Sequence, residues 1–201
     1  KYKREIFQVA SDFEKTLNFE EIFNNNNPVH LEIGSGRGEF LLEKSISLPE
    51  VNFLGIDSKE KRIKTILRKL DIEKNKNVRV MKLLVDDDIE KFIPENSLEE
   101  IYIIYPDPWS KRKHHKNRLI QDRFIEALSK VLKFNGIVKL ASDHKEYAMW
   151  IVRHFQNQTD FETIFEGGFT YIPPRDHLRT YFEVKKSKEG YNPFFMYFKK
   201  K

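Results

Sequence analysis

The chain has 201 residues, 39% hydrophobic and 33% charged, with 17 Phe, 8 Tyr, no Cys and a formal net charge of +5. The absence of cysteine excludes disulfides, thiolate metal sites and cysteine nucleophiles, and no apolar run is long enough for a membrane-spanning helix. The length suits one domain with a sizeable core, and the basic balance favours a polyanionic partner.

The start, Lys1-Tyr2-Lys3-Arg4-Glu5, has no apolar signal core and no initiator Met, so a cytoplasmic location and further residues upstream are expected. A single domain over 1–201 is expected, with a lead-in segment over 1–28 and a core over 29–201. Ile6, Val9, Phe13 and Leu17 give the lead-in a partial helical spacing. The run Asn24 to Asn27 before Pro28 breaks the chain. Val29 to Ile33 then reads as a buried strand, followed by Gly34-Ser35-Gly36-Arg37-Gly38 and a helix ending near Leu48-Pro49.

The strand–helix unit repeats. Val51 to Ile56 predicts a second strand and 59–73 a helix capped by Ser58, with Ile63, Ile66, Leu67 and Leu70 as its apolar stripe. Val78 to Val85 predicts a third strand, with Asp86-Asp87-Asp88 opening a short helix. Ile101 to Tyr105 predicts a fourth strand, 120–132 a helix, Ile137 to Ala141 a fifth strand and 145–156 another helix. Aromatic strands over 161–172 and 193–198 lack a helix between them and predict an antiparallel closing hairpin, joined by a long, polar and basic connection, 173–190. The expected fold is α/β: a Rossmann-like, mostly parallel seven-stranded sheet with an antiparallel C-terminal hairpin and helices on both faces.

Two places carry chemistry. The glycine loop after the first strand lets backbone pass close to a ligand. Its spacing is not that of a dinucleotide loop, because position 39 is Glu, and the flanking acids Glu32 and Glu39 repel phosphate but suit a cationic ligand. Asp57 ends the second strand 21 residues beyond Gly36, where an acid receives a ribose diol, the lesser alternative being a strand-end turn residue that caps the next helix. A ribose, no pyrophosphate and a positive centre together describe S-adenosylmethionine. The other place is Ile101 to Arg118, a strand that ends at Pro106-Asp107-Pro108-Trp109 and runs into a basic arm. The prolines stiffen Asp107. Adjacent His114 and His115 do not readily face one ion, and no third ligand stands nearby, so no metal is expected.

With these residues in view, the chain resembles the tRNA (guanine-N7-)-methyltransferases among class I methyltransferases. Glu32 to Gly38 is similar to the first class I motif, and Pro106 to Arg118 is similar to the family's P-D-P-W-x-K-x-R/K-H-x-K-R segment. Ile93 to Leu98, Ala141-Ser142-Asp143 and Thr180-Tyr181-Phe182-Glu183 also fit, in the expected order. The resemblance implies transfer of a methyl group from S-adenosylmethionine to N7 of a guanine in the tRNA variable loop, position 46. It implies cofactor roles for Glu32, Gly34, Ser35, Gly36, Gly38 and Asp57, and places Asp107 between cofactor and base. Lys111, Asp143 and Thr180, Tyr181, Phe182 and Glu183 fall at substrate positions. Asp57 departs from the family's usual Glu, and the acid usual at the third strand's end aligns with Leu84, with Asp86 two residues later. The Arg-Gly usual after the late motif is also missing.

Chemically, guanine N7 carries a free lone pair and no proton, so alignment and desolvation are what the reaction needs. Asp107 or Asp143 is expected to accept hydrogen bonds from guanine N1 and N2, and Tyr105 or Trp109 to stack on the base. Lys111, Arg112, Lys113, Lys116 and Arg118 are expected on the RNA backbone. The rivals are an exocyclic-amine nucleic-acid methyltransferase, a non-catalytic RNA-binding module of the same fold and a nucleotide-dependent dehydrogenase.

Overall fold

The computed structural model describes residues 2–10 and 15–201, apart from the side chains of Tyr181, Phe182 and Ser187. Phe13 therefore lies outside the described residues. In chain order the elements are α1 (Tyr2–Phe7), β1 (Gln8–Val9), α2 (Phe19–Phe23), β2 (Val29–Ile33), α3 (Glu39–Ser47), β3 (Asn52–Asp57), α4 (Glu60–Lys69) and β4 (Val78–Lys82). There follow β5 (Leu98–Ile104), α5 (Asp122–Val131), β6 (Leu132–Ser142), α6 (Lys145–Gln156), β7 (Phe161–Thr163), α7 (Tyr181–Lys188) and β8 (Phe194–Lys200).

One sheet runs β1-β4-β3-β2-β5-β6-β8-β7. All pairings are parallel except those of β8, which runs antiparallel to β6 and β7. Seven strands answer the sequence pattern. The eighth is β1, two lead-in residues that pair with Val80 and Met81 at the far edge; two residues are too few to show a period. Strand order reverses between β3-β2 and β2-β5, and such a switch point opens a crevice beyond the carboxyl ends of those strands.

Beta-branched and aromatic residues on both faces of the central strands fill two apolar layers. One holds Leu31, Ile101, Phe124, Leu128 and Ile151 beneath α5 and α6. The other holds Phe7, Leu41, Phe53, Ile63 and Ile66 beneath α1, α3 and α4. Over β5, β6 and β8 this second layer turns polar: Lys139 is buried, paired with Glu100 and Asp176, and lies over the rings of Tyr102 and Tyr197. Among the described residues no helix is long and apolar enough to cross a membrane.

Several boundaries differ from the pattern for local reasons. α4 ends at Lys69, because Leu70 leaves helical geometry and Asp71 accepts the N–H groups of Glu73 and Lys74 in a turn. Its N-cap is Lys59 rather than Ser58, and the cap's N–H goes to Asp57. β6 begins at Leu132, running through Asn135 in left-handed geometry (φ 64°), where a turn would have been read from Asn-Gly alone. The predicted strand over 161–172 is cut to Phe161–Thr163 by Gly167 and Gly168, both at positive φ, and resumes only as a bridge at Thr170. The connection 173–190 contains α7.

Candidate active site at the carboxyl ends of the strands

A cavity of about 360 Å³ opens at the switch point, lined by Gly34, Asp57, Leu84, Asp107 and Trp109 among others. This lies in the range of small-ligand sites. The glycine loop meets it at Gly34, and Gly34, Gly36 and Gly38 are all in left-handed geometry (φ 81°, 56° and 78°). A side chain at Gly38 would also strike Ile66, 2.8 Å from the Cβ position. Gly34 and Ser35 donate to the Ile56 carbonyl at 2.8 and 3.0 Å, fastening the loop to β3.

Asp57 is buried at the end of β3. Its Oδ2 accepts the Gly36 N–H at 3.0 Å and the Arg62 guanidinium at 3.1 Å, while Oδ1 accepts the Lys59 N–H at 2.9 Å. Three of roughly four lone-pair sites are thus engaged. Arg62, half-exposed, would have to share or leave Oδ2 for a diol to make paired bonds. Sequence reading missed Arg62. Its signal is a basic residue one helical turn into α4, just beyond a strand-end acid.

Glu32 is 4% exposed at the end of β2, and its Oε2 has no hydrogen-bond partner among the described residues. Burial, with smaller contributions from the Asp57 and Glu39 charges and against a hydrogen bond from Ser35, pushes its carboxyl up to about 8. A buried carboxyl beside a glycine loop, poorly stabilised as an anion on its own, is one that a bound cation would help to ionise. That observation, together with Asp57 across the loop, fits S-adenosylmethionine, a ribonucleoside with an ammonium and a sulfonium. At the end of β4, Leu84 is exposed and lines the cavity, with Leu83 and Val85 adding apolar wall. Asp86 instead caps the following 3-10 turn, accepting the Asp88 N–H at 3.0 Å. Asp86, unlike Leu84, is not among the residues that line the cavity.

The Pro-Asp-Pro turn follows β5. Tyr105 and Trp109 bracket it with positive φ (55° and 44°), a conformation that non-glycine residues hold only where the surroundings enforce it. The enforcement is visible. Tyr105 Oη donates to Glu183 Oε1 at 2.6 Å, and Arg118 Nε donates to the Pro108 carbonyl at 2.9 Å. Asp107 is left exposed between these two ties. Burial raises the Tyr105 hydroxyl far above its ordinary range, so it stays a donor.

Arg118 was expected on the RNA backbone, and here the structure differs. Its side chain is buried, bonded to Glu146 at 3.0 Å and set over the rings of Tyr147 and Trp150. It braces the Asp107 turn and is not available to a phosphate. Lys111 is exposed at the N-cap, and Arg112, Lys113 and Lys116 are exposed on the 3-10 turn over 112–117. Asp143 ends β6, half-buried, and its charge bears on Tyr105.

Glu183 is buried rather than open to substrate. Besides Tyr105 it accepts from His177 Nε2 at 2.6 Å and from the Thr180 N–H at 2.9 Å. Thr180 Oγ1 in turn accepts the Glu183 N–H at 3.2 Å, a reciprocal cap for α7. Against the opposing effect of burial, the bonds from His177, Tyr105 and the Thr180 N–H lower the Glu183 carboxyl. Thr180 and Glu183 thus position the segment beside the site, while the side chains of Tyr181 and Phe182 lie outside the described residues.

The "Putative methyltransferase" family model matches residues 26–192. The chain is 36% identical to a tRNA (guanine-N(7)-)-methyltransferase of Buchnera aphidicola subsp. Baizongia pistaciae, over 98% of this chain and 82% of that protein. It is 34% identical to the protein of that name from Aliivibrio salmonicida, over 89% of this chain and 75% of that one. In fold it is similar to the 16S rRNA methyltransferase KamB, with a TM-score of 0.66 at 13% identity, covering 92% of this chain and 94% of that one.

Proposed function

Because the chain belongs to the tRNA (guanine-N(7)-)-methyltransferase family, we propose that it methylates N7 of a guanine in the variable loop of tRNA, position 46, using S-adenosylmethionine. The observation that carries the cofactor half is the buried Glu32 oxygen without a partner beside the glycine loop. When bound, S-adenosylmethionine supplies an electrophilic methyl group on a sulfonium. Glu32 would hold a cationic part of it, Asp57 its ribose, and Leu83, Leu84 and Val85 one apolar wall.

Guanine N7 needs no deprotonation, so this chain needs no general base. Its residues hold the base in line, exclude water and accommodate the charge that the base gains. Proximity of this kind is worth up to about 7–11 kcal/mol. Asp107, fixed between Tyr105 and Trp109, or Asp143 at the end of β6, accepts from guanine N1–H and N2–H, which selects guanine over adenine. The same carboxylate stabilises positive charge arriving on the ring. Trp109, 41% exposed above the turn, offers a face for stacking. Lys111, Arg112, Lys113 and Lys116 neutralise backbone phosphates.

The test is transfer of labelled methyl from S-adenosylmethionine to unmodified tRNA, with the product nucleoside identified by mass. 7-Methylguanosine is expected. Another methylated nucleoside would keep the fold and cofactor and discard the substrate atom.

A further inference from the structure

The connection 173–190 stood out in sequence as long and basic, and the roles above use only Thr180 and Glu183 from it. Its charges are sorted. Of its three acids, Asp176 pairs with the buried Lys139, Glu183 with His177 and Tyr105, and Glu189 with Lys186. Lys44 Nζ adds a bond to the Asp176 carbonyl at 2.6 Å. Among its cations, Arg175, Arg179, Lys185 and Lys188 are exposed and have no ion pair among the described residues.

With Asp176 and Glu183 turned to anchoring and Glu189 spent on Lys186, the four cations leave the segment's surface predominantly positive. Exposed Tyr171 and Tyr191 flank it, the latter under Lys186 Nζ at 4.6 Å. Placement matters as much as charge. The Tyr105–Glu183 bond ties the first turn of α7 to the end of β5, where the Asp107 turn and the Lys111–Lys116 arm begin. Both cationic stretches are therefore tied to the carboxyl end of β5, next to the Asp107 turn.

We infer that residues 173–190 form a second phosphate-binding arm, which grips the tRNA near the target guanine in addition to the Lys111–Lys116 arm. This rests on the tRNA reading above. Multiple phosphate contacts release counterions, so each one lost reduces the salt dependence of binding as well as the affinity. Exposed aromatics between cations suit unstacked nucleotides near a loop.

The test uses the full chain with Lys185→Glu/Lys188→Glu, and with Lys185→Gln/Lys188→Gln to avoid repulsion. Lys74→Glu/Lys76→Glu serves as a control of equal charge change, in the exposed turn before β4, at the amino ends of the strands and away from the Asp107 turn. Unmodified tRNA binding is titrated at several potassium chloride concentrations, alongside cofactor affinity and steady-state kinetics. The charge reversal is expected to weaken tRNA binding about tenfold or more near 0.15 M salt, and the Gln pair to reduce the salt slope by about 1.4–1.8. KM for tRNA should rise with kcat and cofactor affinity unchanged, and the control should match wild type. Arm variants that bind like wild type, or a control that weakens as much as they do, would overturn the inference while leaving methyl transfer intact. Wild-type protein that forms no 7-methylguanosine on the same tRNA would sink the functional reading first, and the arm with it.

Discussion

Replacing Glu32 with glutamine separates what this carboxyl does for folding from what it does for binding. In the folded chain its pKa is about 8, against 4.5 for an ordinary glutamate, chiefly because burial penalises the charged form. An acid with a raised folded pKa opposes folding as pH rises: the unfolded chain loses its proton near 4.5, the folded chain only near 8. The penalty is therefore small below pH 4.5, grows through neutrality and levels off above 8. At pH 7 it amounts to about 3 kcal/mol, from 2.5 pH units at 1.36 kcal/mol each. Glutamine carries no such penalty. Glu32→Gln should gain on wild type by about 3 kcal/mol between pH 5 and pH 8, roughly 6–12 °C in Tm for a chain of this size. The same change should weaken S-adenosylmethionine about 10- to 150-fold at pH 7.5, the loss of a charge-assisted contact of about 1.5–3 kcal/mol. Thermal unfolding of both ligand-free proteins across that pH range, with calorimetric titration of the cofactor, reads both effects. Parallel stability profiles, or equal cofactor affinity, would refute the reasoning.

Asp107→Asn, at an exposed position, should leave Tm and cofactor affinity unchanged while lowering kcat/KM on tRNA by about 1–3 kcal/mol, roughly 5- to 150-fold; normal turnover would remove Asp107 from base recognition in favour of Asp143. Arg118→Ala deletes a buried side chain that bonds the Pro108 carbonyl and lies over two rings. Chemical denaturation should show a loss of about 2–4 kcal/mol, with tRNA affinity of the folded fraction little changed. An unaltered midpoint with weakened tRNA binding would return Arg118 to the RNA surface. Gly38→Ala meets both a left-handed φ and Ile66, so it should cost about 2 kcal/mol by denaturant titration and weaken cofactor binding. A neutral result would mean that the loop is free to move.

Repetition made the fold legible. Each of β2, β3, β4, β5 and β6 is a short apolar run beside a helix with a clear stripe, and buried parallel strands read this way from composition alone. β1 was not legible, because two residues carry no period and only pairing with β4 defines them. Nor was α7, whose start is fixed by the Thr180–Glu183 exchange and whose first-turn carboxylate is held by Tyr105 from far away in sequence. At the site, residue type and spacing located Glu32, the glycine loop, Asp57 and Asp107. They did not reveal that Arg62 already occupies Asp57, or that Arg118 alone in the basic run turns inward. A charge run read in one dimension gives each cation the same chance of solvent. Stacking rings on α6, themselves unremarkable in sequence, decide which one is buried.

The central claim is that this chain methylates N7 of one guanine, and it can be tested at the atom. Two tRNAs are prepared, identical except that one carries 7-deazaguanosine in place of the variable-loop guanosine, which exchanges N7 for a C–H and keeps the N1 and N2 donors. With labelled S-adenosylmethionine, the ordinary tRNA should accept close to one methyl group per molecule as 7-methylguanosine. The 7-deaza tRNA should bind with similar affinity and accept none. Methylation of the 7-deaza tRNA at the same nucleotide would place the reaction on another atom and contradict the account.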